Sequence, residues 1–272
     1  MKLSFSTLFC PDKDSSQLVE LCKKFDISGV ELRILADGKI YENAKDDDDA
    51  KNDFYKDKIT VTNIGSSVCI KKYDENVLEN LYSAIYTAVE TGAEAVRIFL
   101  GNFQKYKTDP KDKLDYDGII KALKEGCDFA KKYNKRIWVE THNEFSRGRE
   151  LKNLINDVNR DNLGIIWDIM HPLEENESIN ETYEYLGRHI EHIHIKDGKP
   201  WDDTNMSVWE YTKLGEGNIP IKDIVDLLNK NGYDGFYSLE WENAWREELR
   251  RYSDEPEWIL NEFVKEMQKC GF

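Results

Sequence analysis

Eight short runs rich in β-branched and aromatic residues recur along the chain, with amphipathic segments of helical length between them. The runs are Leu3 to Thr7, Gly29 to Arg33, Ile59 to Ser66, Ala95 to Gly101, Arg136 to His142, Leu163 to Asp168, Ile190 to Lys196 and Phe236 to Glu242. Between them, Leu18, Val19, Leu21, Cys22 and Phe25 fall at helical spacing, as do Val77, Leu78, Leu81, Ile85 and Val89. Asp14 and Gln17 have the spacing of a capping pair at the start of the first such segment. Strand and helix alternating without a break call for parallel strands joined by right-handed crossovers. Eight units close a (β/α)8 barrel, an α/β fold of about 250 residues, so that residues 1–272 read as one barrel domain. The alternative is an open doubly wound sheet, but its dinucleotide loop, G-x-G-x-x-G after the first strand, is absent. The second unit is the irregular one: a polar, Asp-rich stretch replaces the helix expected between Arg33 and Ile59.

Charge restricts the partners. Asp and Glu outnumber Lys and Arg by 53 to 38, and a net charge of −15 repels the phosphate backbone, so no nucleic-acid partner is expected. The acidic run Asp46 to Asp49 lacks the Gly and Glu spacing of a calcium loop and reads as a solvated face. Cys10, Cys22, Cys69, Cys127 and Cys270 are odd in number and form no C-x-x-C pair, which suits a reducing cytoplasm. A signal peptide is not indicated, and no run of 18 apolar residues exists, so no membrane association is expected.

In a parallel barrel the chemistry sits where strands end, because the strand-to-helix loops ring the mouth and the interior below is packed. The last four strands end in Glu140 of WVETHNE, Asp168 of IIWDIMH, His194 of HIHIKD and Glu240 of YSLEWE. Each is a metal-ligand type. Any one of them has an ordinary alternative, capping the next helix or facing water; four in a row favour one shared ion. Two Glu, one Asp and one His make a hard, oxygen-rich set that suits one divalent Mn, Mg or Co ion and leaves Zn open. Without an ion, three converging carboxylates disfavour one another's ionisation.

GVELR on the second strand, VETHN on the fifth, DIMH on the sixth, HIHIKD on the seventh, LGEGNIP after it and GYDGFYSLEWE on the eighth follow in a set order over nearly the whole chain. In that order the sequence resembles the xylose isomerase-like superfamily of sugar isomerases and epimerases, which includes tagatose and psicose epimerases, hydroxypyruvate isomerases and inosose dehydratases. The resemblance implies that Glu140, Asp168, His194 and Glu240 hold the metal, that Glu140 and Glu240 also act as acid and base on an enediolate, and that His171 of the D-x-x-H motif contacts a small carbohydrate substrate. The EWENAWREEL stretch departs from the better-known members and leaves the substrate open.

Glu31, near the end of the second strand, and Lys196, on the inward parity of the seventh, are further candidates for substrate binding. His192 shares that parity and reads either as a site residue or as packed low in the barrel. Glu242 is either a site residue or the partner of a basic residue at the rim, and His142 either touches substrate or caps a loop. Trp138, Trp167, Trp241 and Trp245 read as core or interface aromatics before sugar platforms, and the Trp-rich C-terminal stretch is compatible with a homo-oligomer. LGEGNIP carries an acid and reads as a rim loop, not a phosphate cradle. The leading activity is isomerisation or epimerisation; a lyase of the inosose dehydratase kind is the alternative. A zinc-dependent apurinic endonuclease is disfavoured, since all five His lie at or after position 142, and a non-catalytic sugar-binding descendant is disfavoured by the intact ligand set.

Overall fold

The computed structural model describes residues 1–34, 50–102, 114–201 and 208–272. Asp46 to Asp49 lie outside the described residues. Eight parallel strands close a barrel: β1 (Lys2–Ser6), β2 (Gly29–Arg33), β3 (Thr60–Ile70), β4 (Ala95–Leu100), β5 (Arg136–Glu140), β6 (Leu163–Asp168), β7 (Ile190–Ile195) and, after an antiparallel hairpin of β8 (Asp197–Lys199) and β9 (Glu210–Thr212), the eighth barrel strand β10 (Phe236–Leu239). The expected barrel is therefore present. β3 runs four residues beyond its expected end at Ser66 and shifts register against β4 between Gly65 and Cys69. The β8–β9 hairpin was not expected from the sequence; it extends the loop that follows β7.

The outer helices are α1 (Ser15–Phe25), α2 (Ala50–Lys56), α3 (Glu75–Thr91), α4 (Tyr116–Lys131), α5 (Gly148–Val158), α6 (His171–Glu174), α7 (Ile179–Leu186), α8 (Ile221–Lys230) and α9 (Pro256–Lys269). α1 starts on the expected capping box: Asp14 Oδ1 accepts from the Gln17 amide at 2.8 Å, and the Asp14 amide donates to Gln17 Oε1 at 3.1 Å. In the irregular second unit, two turns of helix, α2, precede β3. Among the described residues no helix is long and apolar enough to cross a membrane.

Side chains alternate between the two faces of each strand, which sorts the strands into two environments. Leu3, Phe5, Val30, Val96, Ile98, Ile137, Val139, Ile165, Trp167, Ile193 and Leu239 belong to one large buried cluster with Leu18, Leu81, Leu154, Leu228 and Phe263 of the helices. The opposite set faces the barrel axis. Low on that axis, Ala95, Trp138 and Ile166 form a separate apolar cluster. Gly164, paired with Trp138 across β5 and β6, leaves room for the indole, which a Cβ there would strike. Above this plug the interior turns polar: Ser4, Glu31, Asn63, Arg97, Glu140, Asp168, His192, His194, Ser238 and Glu240 are all buried.

The loop after the hairpin is fixed by one carboxylate. Asp197 Oδ1 accepts from the amides of Gly198 (2.8 Å) and Ile219 (3.2 Å), and Oδ2 accepts from those of Gly215 (2.9 Å) and Gly217 (3.0 Å). LGEGNIP thus offers its amides to an acid of the same chain. At Gly217 a Cβ would run into that carboxylate and the Gly198 carbonyl, so only glycine fits. We expect Asp197→Ala, which strands four amide donors, two of them in fully buried hydrogen bonds, to lower stability by about 2 kcal/mol or more. Urea unfolding of the two proteins checks this; a change below about 1 kcal/mol would mean that the loop is held by other contacts.

Candidate metal and active site

Glu140 and Asp168 are the last residues of β5 and β6, His194 is the penultimate residue of β7, and Glu240 follows β10 directly. Parallel pairing sets Asp168 beside His194, Glu140 beside Ile166 two residues before Asp168, and His194 beside Ser238 two residues before Glu240. One ligand atom from each lies within 4.8 Å of every other. Two donors bound to one ion at about 2.0–2.6 Å stand at most about 4–5 Å apart, so the set has the dimensions of a single-ion site. One of its atoms, His194 Nδ1, is buried without a hydrogen-bond partner, and Asp168 Oδ2 has the Lys196 ammonium as its neighbour.

The state of His194 follows from its lower neighbour. Its Nε2 lies 3.1 Å from Glu31 Oε2. An ionised carboxylate only accepts, so Nε2 carries the hydrogen and Nδ1 of the neutral ring presents a lone pair. Nδ1 itself faces Glu140 Oε1 at 3.6 Å and Glu240 Oε2 at 3.4 Å. Burial opposes an imidazolium here, yet Glu240, Glu31 and Glu140 together hold His194 well above the usual imidazole range. A divalent ion supplies the same positive charge in place of the proton, which is the ordinary competition between protons and metals for a ligand set. The residues therefore fit a metal.

Glu31, an expected substrate contact, sits elsewhere. It is 1% exposed and lies below His194, away from the mouth. Oε2 accepts from Asn63 Nδ2 at 3.0 Å as well as from His194, while Oε1 is within reach of His192 Nε2 at 3.0 Å and of the Ser238 hydroxyl. Burial pushes its carboxyl up, but His194 and His192 outweigh that and hold it well below the usual range. With every lone-pair direction engaged by the protein, it orients His194 and has nothing to offer a sugar. His192 is packed low, its ring stacked on Trp138 at 5.4 Å.

Arg97, absent from the sequence-based candidates, enters from β4. Its Nη1 donates to Glu140 Oε2 at 2.9 Å and to Glu240 Oε1 at 3.2 Å, and Nη2 donates to the Ser66 carbonyl at 3.1 Å. Each glutamate thus gives one oxygen to the guanidinium and turns the other toward His194. Burial and neighbouring Glu240 push the Glu140 carboxyl up; Arg97 and His194 bring it down to about 2. The available signal was an arginine at inward parity in an otherwise apolar strand, since a buried guanidinium requires partners.

Lys196, 3% exposed, places Nζ 2.6 Å from Asp168 Oδ2, Glu240 Oε2 and Glu242 Oε1. Glu242 does pair with basic residues at the rim, with Lys196 and with Arg246, whose Nε lies 3.4 Å from its Oε2. Arg246 in turn donates to the Tyr211 hydroxyl at 3.0 Å. His171 opens α6 with Nε2 3.6 Å from Asp168 Oδ2 and Nδ1 2.7 Å from Glu174 Oε2. Burial works against its charge, but Asp168 and Glu174 raise it to about 9. His142 meets the His171 ring edge-on at 4.5 Å and has Nδ1 2.7 Å from Asn143 Oδ1; burial, then His171, lower it to about 4. Trp138, Trp167 and Trp241 are buried, whereas Trp245 is 59% exposed.

Residues 19–262 match the family model of the xylose isomerase-like TIM barrel. An uncharacterized protein of Methanocaldococcus jannaschii is 29% identical over 205 residues, covering 71% of this chain and 66% of that protein, just under two-thirds of its length. The solved structure of the IolI protein with a bound zinc atom superposes with a TM-score of 0.81 at 20% identity, over 99% of this chain and 98% of that one. D-psicose 3-epimerase in the presence of D-fructose superposes at 0.75 with 15% identity, over 100% of both chains. At those identities the superpositions speak for the shared barrel. Taken with the match over residues 19–262, they lead to one assignment: the chain belongs to the xylose isomerase-like TIM barrel family.

Proposed function

We propose that the protein is a divalent-metal-dependent isomerase or epimerase of a small sugar or sugar derivative. The observation that carries this reading is the convergence of His194 Nδ1, buried without a hydrogen-bond partner, with carboxylate oxygens of Glu140, Asp168 and Glu240 at the barrel mouth. Glu140, Asp168, His194 and Glu240 hold the ion; Mn, Mg and Co suit the set, and Zn is the ion named in the IolI structure. When bound, the ion polarises a carbonyl and the neighbouring hydroxyl of the sugar, which acidifies the intervening C–H.

The protein's own groups do the rest. Glu140 and Glu240 reach the site from β5 and β10, strands on different sides of the barrel, and Arg97 holds the outer oxygen of each. One carboxylate takes the proton from carbon and the other returns it, to the adjacent carbon in an isomerase or to the opposite face in an epimerase. His171, braced by Glu174, presents an N–H donor to substrate oxygens beside Asp168, and Lys196 does so once it has let go of Asp168 or Glu240. Glu31 acts from below by keeping the hydrogen of His194 on Nε2.

One divalent ion per chain is expected on metal analysis of protein equilibrated with Mn²⁺. Glu31→Ala, which frees the His194 ring to turn over, should weaken that binding by about 10–100-fold with the barrel still folded. His171→Ala should keep the ion and lose turnover or substrate affinity; an empty site in this variant would make His171 a ligand. Glu240→Gln keeps the shape but cannot carry a proton, so turnover on a ketose, aldose and keto-inositol panel should drop by about 10²-fold or more in protein that circular dichroism shows to be folded. With D₂O as solvent, NMR should find deuterium at the carbon next to the carbonyl in the wild-type product. A product lighter by one water would move the enzyme to the lyases, and substantial turnover by metal-loaded Glu240→Gln would remove Glu240 from the proton transfer.

A further inference from the structure

Lys196 stands closer to the ligand set than a substrate contact requires. Its Nζ is 2.6 Å from Asp168 Oδ2 and 2.6 Å from Glu240 Oε2. Both are oxygens of the ligand cage that face inward: Glu240 Oε2 looks at His194 Nδ1 at 3.4 Å, while its partner oxygen is held by Arg97. The third neighbour, Glu242 Oε1 at 2.6 Å, belongs to a carboxylate outside the ligand set, anchored on its other side by Arg246. The ammonium is thus shared between two ligands and one bystander. The ring of Tyr211, 5.4 Å away, covers its remaining side.

An ammonium and a divalent ion seek the same oxygens and repel each other. Charges about 4 Å apart inside a protein interact strongly enough to shift an equilibrium by an order of magnitude or more. We propose that Lys196 is the internal cation that competes with the divalent ion for Asp168 and Glu240, setting the affinity of the site, and that Glu242 takes up the ammonium as the ion seats. This rests on the metal reading above and gives Lys196 a role in ion exchange beyond contact with a sugar. Removal of a residue bonded to two ligands should then tighten the metal, the reverse of what loss of a structural support would do.

The test uses Mn²⁺ alone, titrated into the metal-free full chain with free ion read by EPR. Lys196→Met should bind Mn²⁺ about tenfold or more tightly than the wild type and show a larger Mn²⁺-induced rise in Tm. Lys196→Arg, which keeps the charge, should stay within about threefold of the wild type. Glu242→Gln should weaken Mn²⁺ binding with Lys196 present and have much less effect in the Lys196→Met background. Equal or weaker binding by folded Lys196→Met overturns the proposal. Should that variant not fold, ¹⁵N-lysine NMR of the wild type decides: the Lys196 Nζ signal, identified by its loss in Lys196→Arg, should move when Zn²⁺ is added, and an unmoved signal overturns the proposal equally. A wild type that takes up neither Mn²⁺ nor Zn²⁺ overturns the metal reading itself, a result distinct from a wild type that binds ions while Lys196→Met gains nothing.

Discussion

The upper barrel buries four carboxylates, Glu31, Glu140, Asp168 and Glu240, where each would be driven to the neutral acid unless opposite charge stood within reach. That constraint organises the whole interior. Arg97 answers Glu140 and Glu240, Lys196 answers Asp168 and Glu240, and the paired imidazoles of His192 and His194 answer Glu31. None of these groups can be moved singly: a carboxylate that loses its partner at this depth carries an uncompensated buried charge, which destabilises more than the pair itself stabilises. The polar interior is therefore a single electrostatic unit, and the apolar shell of strand and helix side chains around it is what keeps the dielectric low enough for that unit to matter.

The tiers of that unit differ in what they do. Glu31, Asn63 and Ser238 form a lower tier that fixes the ring of His194 and reaches no solvent. The middle tier holds the candidate ligands and Arg97. The upper tier, with His171, Glu174, Glu242, Arg246 and Tyr211, consists of paired charges and hydrogen bonds at the rim.

Much of this was legible in the sequence because a parallel barrel obeys two simple periodicities. Strand and helix alternate along the chain, and inward and outward residues alternate along each strand, so a ligand-type residue at a strand's end has one place to go. Glu140, Asp168, His194 and Glu240 could be read in that way, as could the capping of α1. Parity also contained Arg97, but a lone arginine in AVRIFL does not say which distant strands provide its partners; Glu140 and Glu240 lie far along the chain. Glu31 was misplaced for a related reason. Its strand end is clear from GVELR, whereas its height relative to His194 depends on the stagger of β2 against strands on the other side of the barrel, and stagger leaves no local mark in a sequence. The β8–β9 hairpin escaped because three-residue strands carry too little pattern to register.

The apolar plug of Ala95, Trp138 and Ile166, with Gly164 hollowed out to admit the indole, shuts the barrel axis beneath the polar interior. The polar interior consequently has a floor: beneath its charged groups lies packed hydrocarbon. Were an ion held by the four candidate ligands and a small molecule above it, the ion would lie the deeper of the two. A floor of this kind would by itself impose an order of exchange, the deeper guest first in and last out.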